Sequence, residues 1–176
     1  MTSGSEATVK VRMDHHVGLR VESMERSIRF WTEGLGGTLQ NEPVERGGGY
    51  FDQLFGPGSR IKICYVTFDA GAVELFEFVE PRRPVASSDQ TGDGLMHFGV
   101  HVDDVDEALA RVEAAGAKRR LEIQHMGGRP DAPRFVYVES PDGHVFELME
   151  ADTAGTVAQI HKTIALLAEQ AAASDG

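Results

Sequence analysis

The chain has 176 residues, 41% of them apolar, which is enough for one compact domain or two small modules sharing a core. A formal net charge of −11 argues against nucleic acid and against an anionic membrane surface as partners, because both need a basic face. The single cysteine, Cys64, excludes an internal disulfide and reads as core. The polar start Met1-Thr2-Ser3-Gly4-Ser5-Glu6 has no apolar segment of a signal peptide, and no run is long enough to span a bilayer, so a cytoplasmic protein is expected.

In chain order, a strand is predicted over Met13–Val21. A helix follows, capped by Ser23, with Met24, Ile28, Trp31 and Leu35 at core-facing spacing and Gly34, Gly36 and Gly37 at its end. Strands are expected near Thr38–Asn41, Tyr50–Phe55, Lys62–Phe68 and Ala72–Val79. The glycines around Phe51 and Phe55 suit a mobile flap. Glu80–Gly94, rich in Pro, Gly, Ser and Asp, reads as a linker.

The plan then repeats. A strand over Met96–Val102 leads to Asp104 and Glu107 in capping-box spacing, to a helix with Val105, Leu109 and Val112 inward, and to a stop at Gly116. Strands are expected near Arg119–Ile123, Arg134–Glu139 and Val145–Glu150, with the turn Ser140-Pro141-Asp142-Gly143 between the last two. The fold class is therefore α+β, with two paired βαβββ modules (13–80 and 94–152) forming a cupped mixed sheet around a shared concave surface. A C-terminal helix over 153–173 carries Val157, Ile160, Ile164 and Leu167, a stripe expected to pack on the sheets or on a partner chain.

Two short patterns recur in the same order. His16-Val17-Gly18-Leu19-Arg20-Val21 matches His97-Phe98-Gly99-Val100-His101-Val102, and Val73-Glu74-Leu75-Phe76-Glu77 matches Phe146-Glu147-Leu148-Met149-Glu150. A structural repeat preserves apolar spacing; this one also preserves a histidine and a glutamate. Strand alternation puts Glu74 beside Phe76 and Phe78, and Glu147 beside Val145 and Met149, so each carboxylate projects from an apolar face and needs a cation or a raised pKa. His16, Glu74, His97 and Glu147 together make a first shell for a divalent metal. Imidazole and carboxylate suit Zn, Ni, Co, Mn or Fe(II), and an octahedral shell with four protein ligands leaves two positions open.

Of the other histidines, His15 points away from that face by alternation, His101 shares the face of His97 and either lines the pocket or meets solvent, and His144 reads as surface. Arg82 and Arg83 read as solvated linker.

These residues resemble the vicinal oxygen chelate superfamily, which includes glyoxalase I, methylmalonyl-CoA epimerase, extradiol dioxygenases and bleomycin-type resistance proteins. The resemblance covers Met13 to Ala151 and rests on His16-Val17-Gly18 before Met24-Glu25-Arg26-Ser27-Ile28-Arg29-Phe30-Trp31, on Val73-Glu74-Leu75, on Met96-His97-Phe98-Gly99, and on Pro141-Asp142-Gly143-His144-Val145-Phe146-Glu147-Leu148. It implies that His16, Glu74, His97 and Glu147 fill the four metal-ligand positions of an isomerase or lyase. Such an enzyme chelates a substrate's adjacent oxygens and stabilises an enediolate or enolate, with Glu147 moving the proton. A homodimer is also implied. Dioxygenases of this fold are similar but use two His and one Glu, so Glu74 counts against that class, and binding-type resistance proteins usually lack the ligands, so the complete set counts against them; both are kept as alternatives. Leu75-Phe76-Glu77-Phe78 follows the first metal glutamate where glyoxalase I has an asparagine for glutathione, so neither glutathione nor coenzyme A is assigned.

Overall fold

The computed structural model describes residues 15–83 and 94–174. Met13, where the first strand was expected to begin, and most of the linker lie outside them. The elements are β1 (His16–Val21), α1 (Met24–Arg29, continued by a π turn over Phe30–Gly34), β2 (Thr38–Leu39), β3 (Val44–Gly47), α2 (Tyr50–Phe55), β4 (Arg60–Thr67) and β5 (Ala72–Glu80). The second module comprises β6 (Phe98–His101), α3 (Val105–Ala114), β7 (Lys118–Arg119), β8 (Gln124–His125), β9 (Arg134–Glu139) and β10 (Val145–Met149), and α4 (Thr153–Ser174) closes the chain.

The α+β class and the βαβββ repeat are present, with one strand position in each module interrupted: β2 and β3 both pair β4, and β7 and β8 both pair β9. The first sheet runs β1-β5-β4-β2 and the second β6-β10-β9-β7, each with its first and last strands parallel and the remainder antiparallel. These are two separate five-stranded sheets. Within the described residues β1 and β6 are both edge strands, and a groove lined by His16, Val17, Ala72, Phe98, Val100 and His101 runs between them. None of the helices of the described residues is long and apolar enough to cross a membrane.

The segment Tyr50–Phe55, expected as a strand, is helix α2. Gly48 and Gly49 take positive φ (70° and 54°), which turns the chain out of β3, and Gly56 at φ 101° ends the helix. Phe51 and Phe55 lie four apart on one helical face, their rings 6.5 Å apart, and Phe55 rests edge-on against Phe78 of β5 at 5.1 Å. Period two and period four are hard to separate in a six-residue aromatic run; the flanking glycines decide it.

The modules share one core. Trp31 and Phe30, each 1% exposed, stack against Phe146 of β10 at 5.6 and 6.1 Å, and Trp31 reaches Phe98 of β6 at 6.2 Å. Gly34 lets the first helix approach the second: a Cβ there would come within 3.0 Å of Ala115. A polar clamp accompanies this contact. Asp142, in the turn of the second module and 2% exposed in its side chain, accepts from Ser27 Oγ at 2.5 Å, from Arg26 Nη2 at 2.7 Å and from the Glu22 amide at 3.0 Å, all in the first module. His144, expected at the surface, spans the same boundary, its Nε2 2.7 Å from the Arg20 carbonyl oxygen. Cys64 is buried in the core as expected, and desolvation pushes its thiol up to about 11.

The helix starts are set as the sequence predicts. Ser23 Oγ accepts from the Arg26 amide at 3.4 Å and Asp104 Oδ1 from the Glu107 amide at 3.0 Å. The repeat adds a second cap. Glu77 accepts from the Met24 amide at 2.6 Å and Glu150 from the Val105 amide at 3.1 Å, so the last glutamate of each repeated pattern ties the C-terminal strand of its module to the first turn of its helix.

Two stability predictions follow from this wiring. Asp142→Ala removes a buried acceptor and strands Arg26 and Ser27; a loss of about 3 kcal/mol or more is expected in urea unfolding. The bonds from Arg134 and then from the Val105 and Arg134 amides hold the Glu150 carboxyl below its ordinary 4.5. Its contribution is therefore present above that pH and fades as the pH falls through its depressed value. Glu150→Gln is expected to lose about 1–3 kcal/mol at neutral pH and to converge on the wild type in acid, read as melting temperature against pH.

Candidate metal centre in two halves

The first half-site is built on the parallel pair β1 and β5. Gly18 lies opposite Glu74, and His16, two residues earlier, projects from the same face. His16 Nε2 stands 3.2 Å from Glu74 Oε2. The second half-site repeats this on β6 and β10: Gly99 lies opposite Glu147, and His97 Nε2 is 3.6 Å from Glu147 Oε2. Gly18 and Gly99 keep the strand surface bare between histidine and glutamate.

Each glutamate has a further partner that the sequence reading missed. Tyr65 lies directly across β4 from Glu74, and Tyr137 directly across β9 from Glu147. Each hydroxyl hydrogen-bonds its glutamate, and each ring stands edge-on to the histidine, at 5.7 Å from His16 and 4.8 Å from His97. The signal was available: a tyrosine sits at the same place in the middle strand of both repeats, nine residues before one glutamate and ten before the other. Strand register was needed to give it meaning.

Electrostatically, the second half-site is the drier. Burial pushes the Glu147 carboxyl up, opposed by the nearby His97 and by the bond from Tyr137. Burial first and the neighbouring carboxylate second push both tyrosine hydroxyls up, so they remain proton donors at neutral pH. His97 Nδ1 is buried and has no hydrogen-bond partner among the described residues. His15, expected to point away, instead lies against His16, with Nδ1 atoms 2.5 Å apart and rings 4.7 Å apart, because it precedes the strand and is not bound by its alternation. His101 is exposed and lines the groove between β1 and β6.

The donor set fits a divalent cation. Two ligands in adjacent positions, each about 2.0–2.2 Å from a common ion, stand about 3 Å apart. Both histidine–glutamate pairs are close to that spacing, and imidazole nitrogen with carboxylate oxygen suits the first-row metals. The structure brings the four residues together two by two, however: among the described residues of one chain, no three His, Cys, Asp or Glu gather around a single point. Each module offers half a coordination shell.

Duplicated βαβββ modules carrying mirrored histidine–glutamate pairs define a glyoxalase-type fold. The sequence model of the Glyoxalase/Bleomycin resistance protein/Dioxygenase superfamily matches residues 14–148, and the chain belongs to that superfamily. Over 140 residues it is 32% identical to a probable chloroplastic lactoylglutathione lyase of Arabidopsis thaliana; the match takes in 77% of this chain and 35% of the plant protein. It is 29% identical over 142 residues to the lactoylglutathione lyase of Salmonella typhimurium, covering 80% of this chain and 93% of that one. A glyoxalase family protein from Bacillus cereus superposes with a TM-score of 0.70 at 21% identity, over 83% of this chain and 97% of the other, which supports the fold.

A carboxyl with a raised pKa destabilises the fold once ionised. The Glu147 contribution is intact below 4.5 and is lost as the pH rises through its elevated value. In metal-free protein, Glu147→Gln is therefore expected to melt higher than the wild type at neutral pH and level with it in acid. A lower melting temperature for the variant at pH 7 contradicts this assignment.

Proposed function

We propose that the chain is a metal-dependent isomerase or lyase of the glyoxalase type, acting in the cytoplasm on a small molecule with two neighbouring oxygens, and that its active site forms between two copies. One observation carries this reading: the two half-sites are equivalent, each one histidine and one glutamate at the spacing of adjacent metal ligands, and each on a sheet whose outer strand is unpaired. Joining the β1 edge of one copy to the β6 edge of another unites His16 and Glu74 with His97 and Glu147 and satisfies both exposed edges. A homodimer related by a two-fold axis then holds two such sites. The net charge of −11 leaves neither nucleic acid nor an anionic membrane as a natural partner.

His16, Glu74, His97 and Glu147 would hold a divalent ion, which would supply Lewis acidity toward the substrate oxygens. The protein's own residues manage the proton. Glu147 is the base: its carboxylate lies 9% exposed on an apolar face, and burial raises its proton affinity toward the range in which it both takes a proton from carbon and returns it to the neighbouring carbon. The Tyr137 hydroxyl donates to the same carboxylate and orients it. Phe76 and Phe78 share the face of Glu74, and Val145 and Met149 share that of Glu147, so each carboxylate is flanked by apolar side chains. The relatives named as lactoylglutathione lyases make a thiol hemithioacetal the first substrate to assay, although Leu75-Phe76-Glu77-Phe78 follows Glu74 where glyoxalase I has an asparagine for glutathione.

Purified wild type is expected to hold one divalent ion per chain. His16→Ala and Glu147→Ala should each abolish this while leaving the fold intact, since the hydrophobic core closes without metal. Mixed dimers of one His16→Ala chain with one Glu147→Ala chain keep one undamaged site, so one metal and roughly half the specific activity should return. A site within one chain restores neither, and wild type without stoichiometric metal overturns the proposal altogether. Oxygen consumption with catechol would redirect the reading to a dioxygenase.

A further inference from the structure

Helix α4 lies outside the residues matched by the superfamily model, and its orientation is unexpected. The stripe of Val157, Ile160, Ile164 and Leu167 is not the face that packs inward; these side chains are 45, 46, 59 and 59% exposed. The inward face is polar. Thr156 Oγ1 donates to Met149 Sδ at 3.2 Å, Gln159 is 5% exposed, and Thr163 sits over Gly127. The helix is held by small and polar groups while its apolar flank is left exposed among the described residues. The first module shows a second uncovered apolar surface. On α2, Tyr50, Leu54 and Phe55 are 59, 65 and 38% exposed.

The sheet faces relate these two surfaces. Phe55 of α2 rests on Phe78, which shares the face of Glu74; Thr156 of α4 rests on Met149, which shares the face of Glu147. Each helix therefore stands on the same side of its sheet as the half-site of its own module. Uniting half-sites across two copies places α2 of one copy and α4 of the other on one side of one joined sheet, over one site. The apolar stripe from Val157 to Leu167 spans eleven residues, about 15 Å of helix, which is long for a small-molecule substituent and suited to another helix. The spacing of three, four and three residues is that of a helix–helix seam. One charge pair fits this contact: α4 carries Lys162 beside the stripe and α2 carries Asp52, while Glu45 near α2 is already paired with Arg60 at 2.9 Å.

We infer that the Val157–Leu167 stripe of α4 docks on the Tyr50, Leu54 and Phe55 surface of α2 in a second copy, roofing each shared site with one helix from either chain. The inference rests on the cross-copy site proposed above and adds what covers it. Both exposed apolar surfaces are then accounted for by one contact, made twice in a two-fold dimer.

Disulfide trapping tests it. Chains carrying Leu54→Cys and chains carrying Ile160→Cys are co-expressed and oxidised mildly; Cys64, 0% exposed, does not compete. A covalent dimer is expected from the mixture and from neither variant alone. Cross-linking of the Ile160→Cys chain with itself means that α4 pairs with α4 and overturns the inference, as does a dimer by light scattering whose mixture forms no cross-link. In parallel, Ile160→Ser/Ile164→Ser is expected to raise the dimer dissociation constant at least tenfold with helix content unchanged; an unchanged constant also counts against it. Restored metal in mixed dimers of His16→Ala and Glu147→Ala chains without the cross-link discards the helix contact alone, whereas loss of that restoration discards the shared site.

Discussion

Burial of Phe30 and Trp31 against Phe98 and Phe146 is the contact on which the rest of the architecture depends. It fuses the first helix of one module to the sheet of the other, with Gly34 and Ala115 at close approach and the Asp142 clamp at the rim. Phe30, Trp31 and Phe146 are nearly inaccessible to water, with Phe98 packed partly buried against them, and burial of such large apolar side chains contributes strongly to folding. The same contact determines what remains open. With the modules joined through the helix side of their sheets, β1 and β6 remain edge strands among the described residues, and the opposite faces bear the histidine–glutamate pairs.

The repeat operates at more levels than ligand chemistry. In each pattern the first glutamate faces the half-site and the second, three residues on, turns to the other side of the sheet and accepts the amide at the start of the module's helix. Period-two alternation requires this division, since residues an odd number apart lie on opposite faces. One conserved-looking sequence pair therefore serves two physical tasks: Glu74 and Glu147 endure desolvation on an apolar face, and Glu77 and Glu150 fasten strand to helix, helped by Lys62 at 3.5 Å from Glu77 and by Arg134 beside Glu150. The tyrosines across from the first glutamates complete a histidine–glutamate–tyrosine cluster that arises twice from the same strand register.

The duplicated modules are not interchangeable. Glu147 is more buried than Glu74, with 11% against 16% of its side chain exposed, and it is Glu147 whose carboxyl is pushed upward. Between β3 and β4 the first module carries α2, whereas at the equivalent place between β8 and β9 the second has only the short turn Met126–Gly128, with α4 packed against it. Pseudo-symmetry in the histidine–glutamate pairs thus coexists with asymmetry in what surrounds them.

The sequence by itself determined the α+β class, the two βαβββ modules and the helix caps at Ser23 and Asp104, and it singled out His16, Glu74, His97 and Glu147 as one set, because these depend on local spacing or on its repetition: alternation, helical periodicity, a cap three residues from its partner, or one pattern met twice. It also held the superfamily in its motifs. Three things were decided only by tertiary structure. Tyr50–Phe55 became a helix because the glycines at 48, 49 and 56 redirect the chain and Phe78 supplies a surface to pack on. His15 came to rest on His16 because it lies just beyond the strand whose alternation would have turned it away. The four metal candidates were divided between two sheets, and α4 turned its polar face inward. Both outcomes are set by which surfaces meet over long sequence separations, and periodicity along the chain carries no information about that.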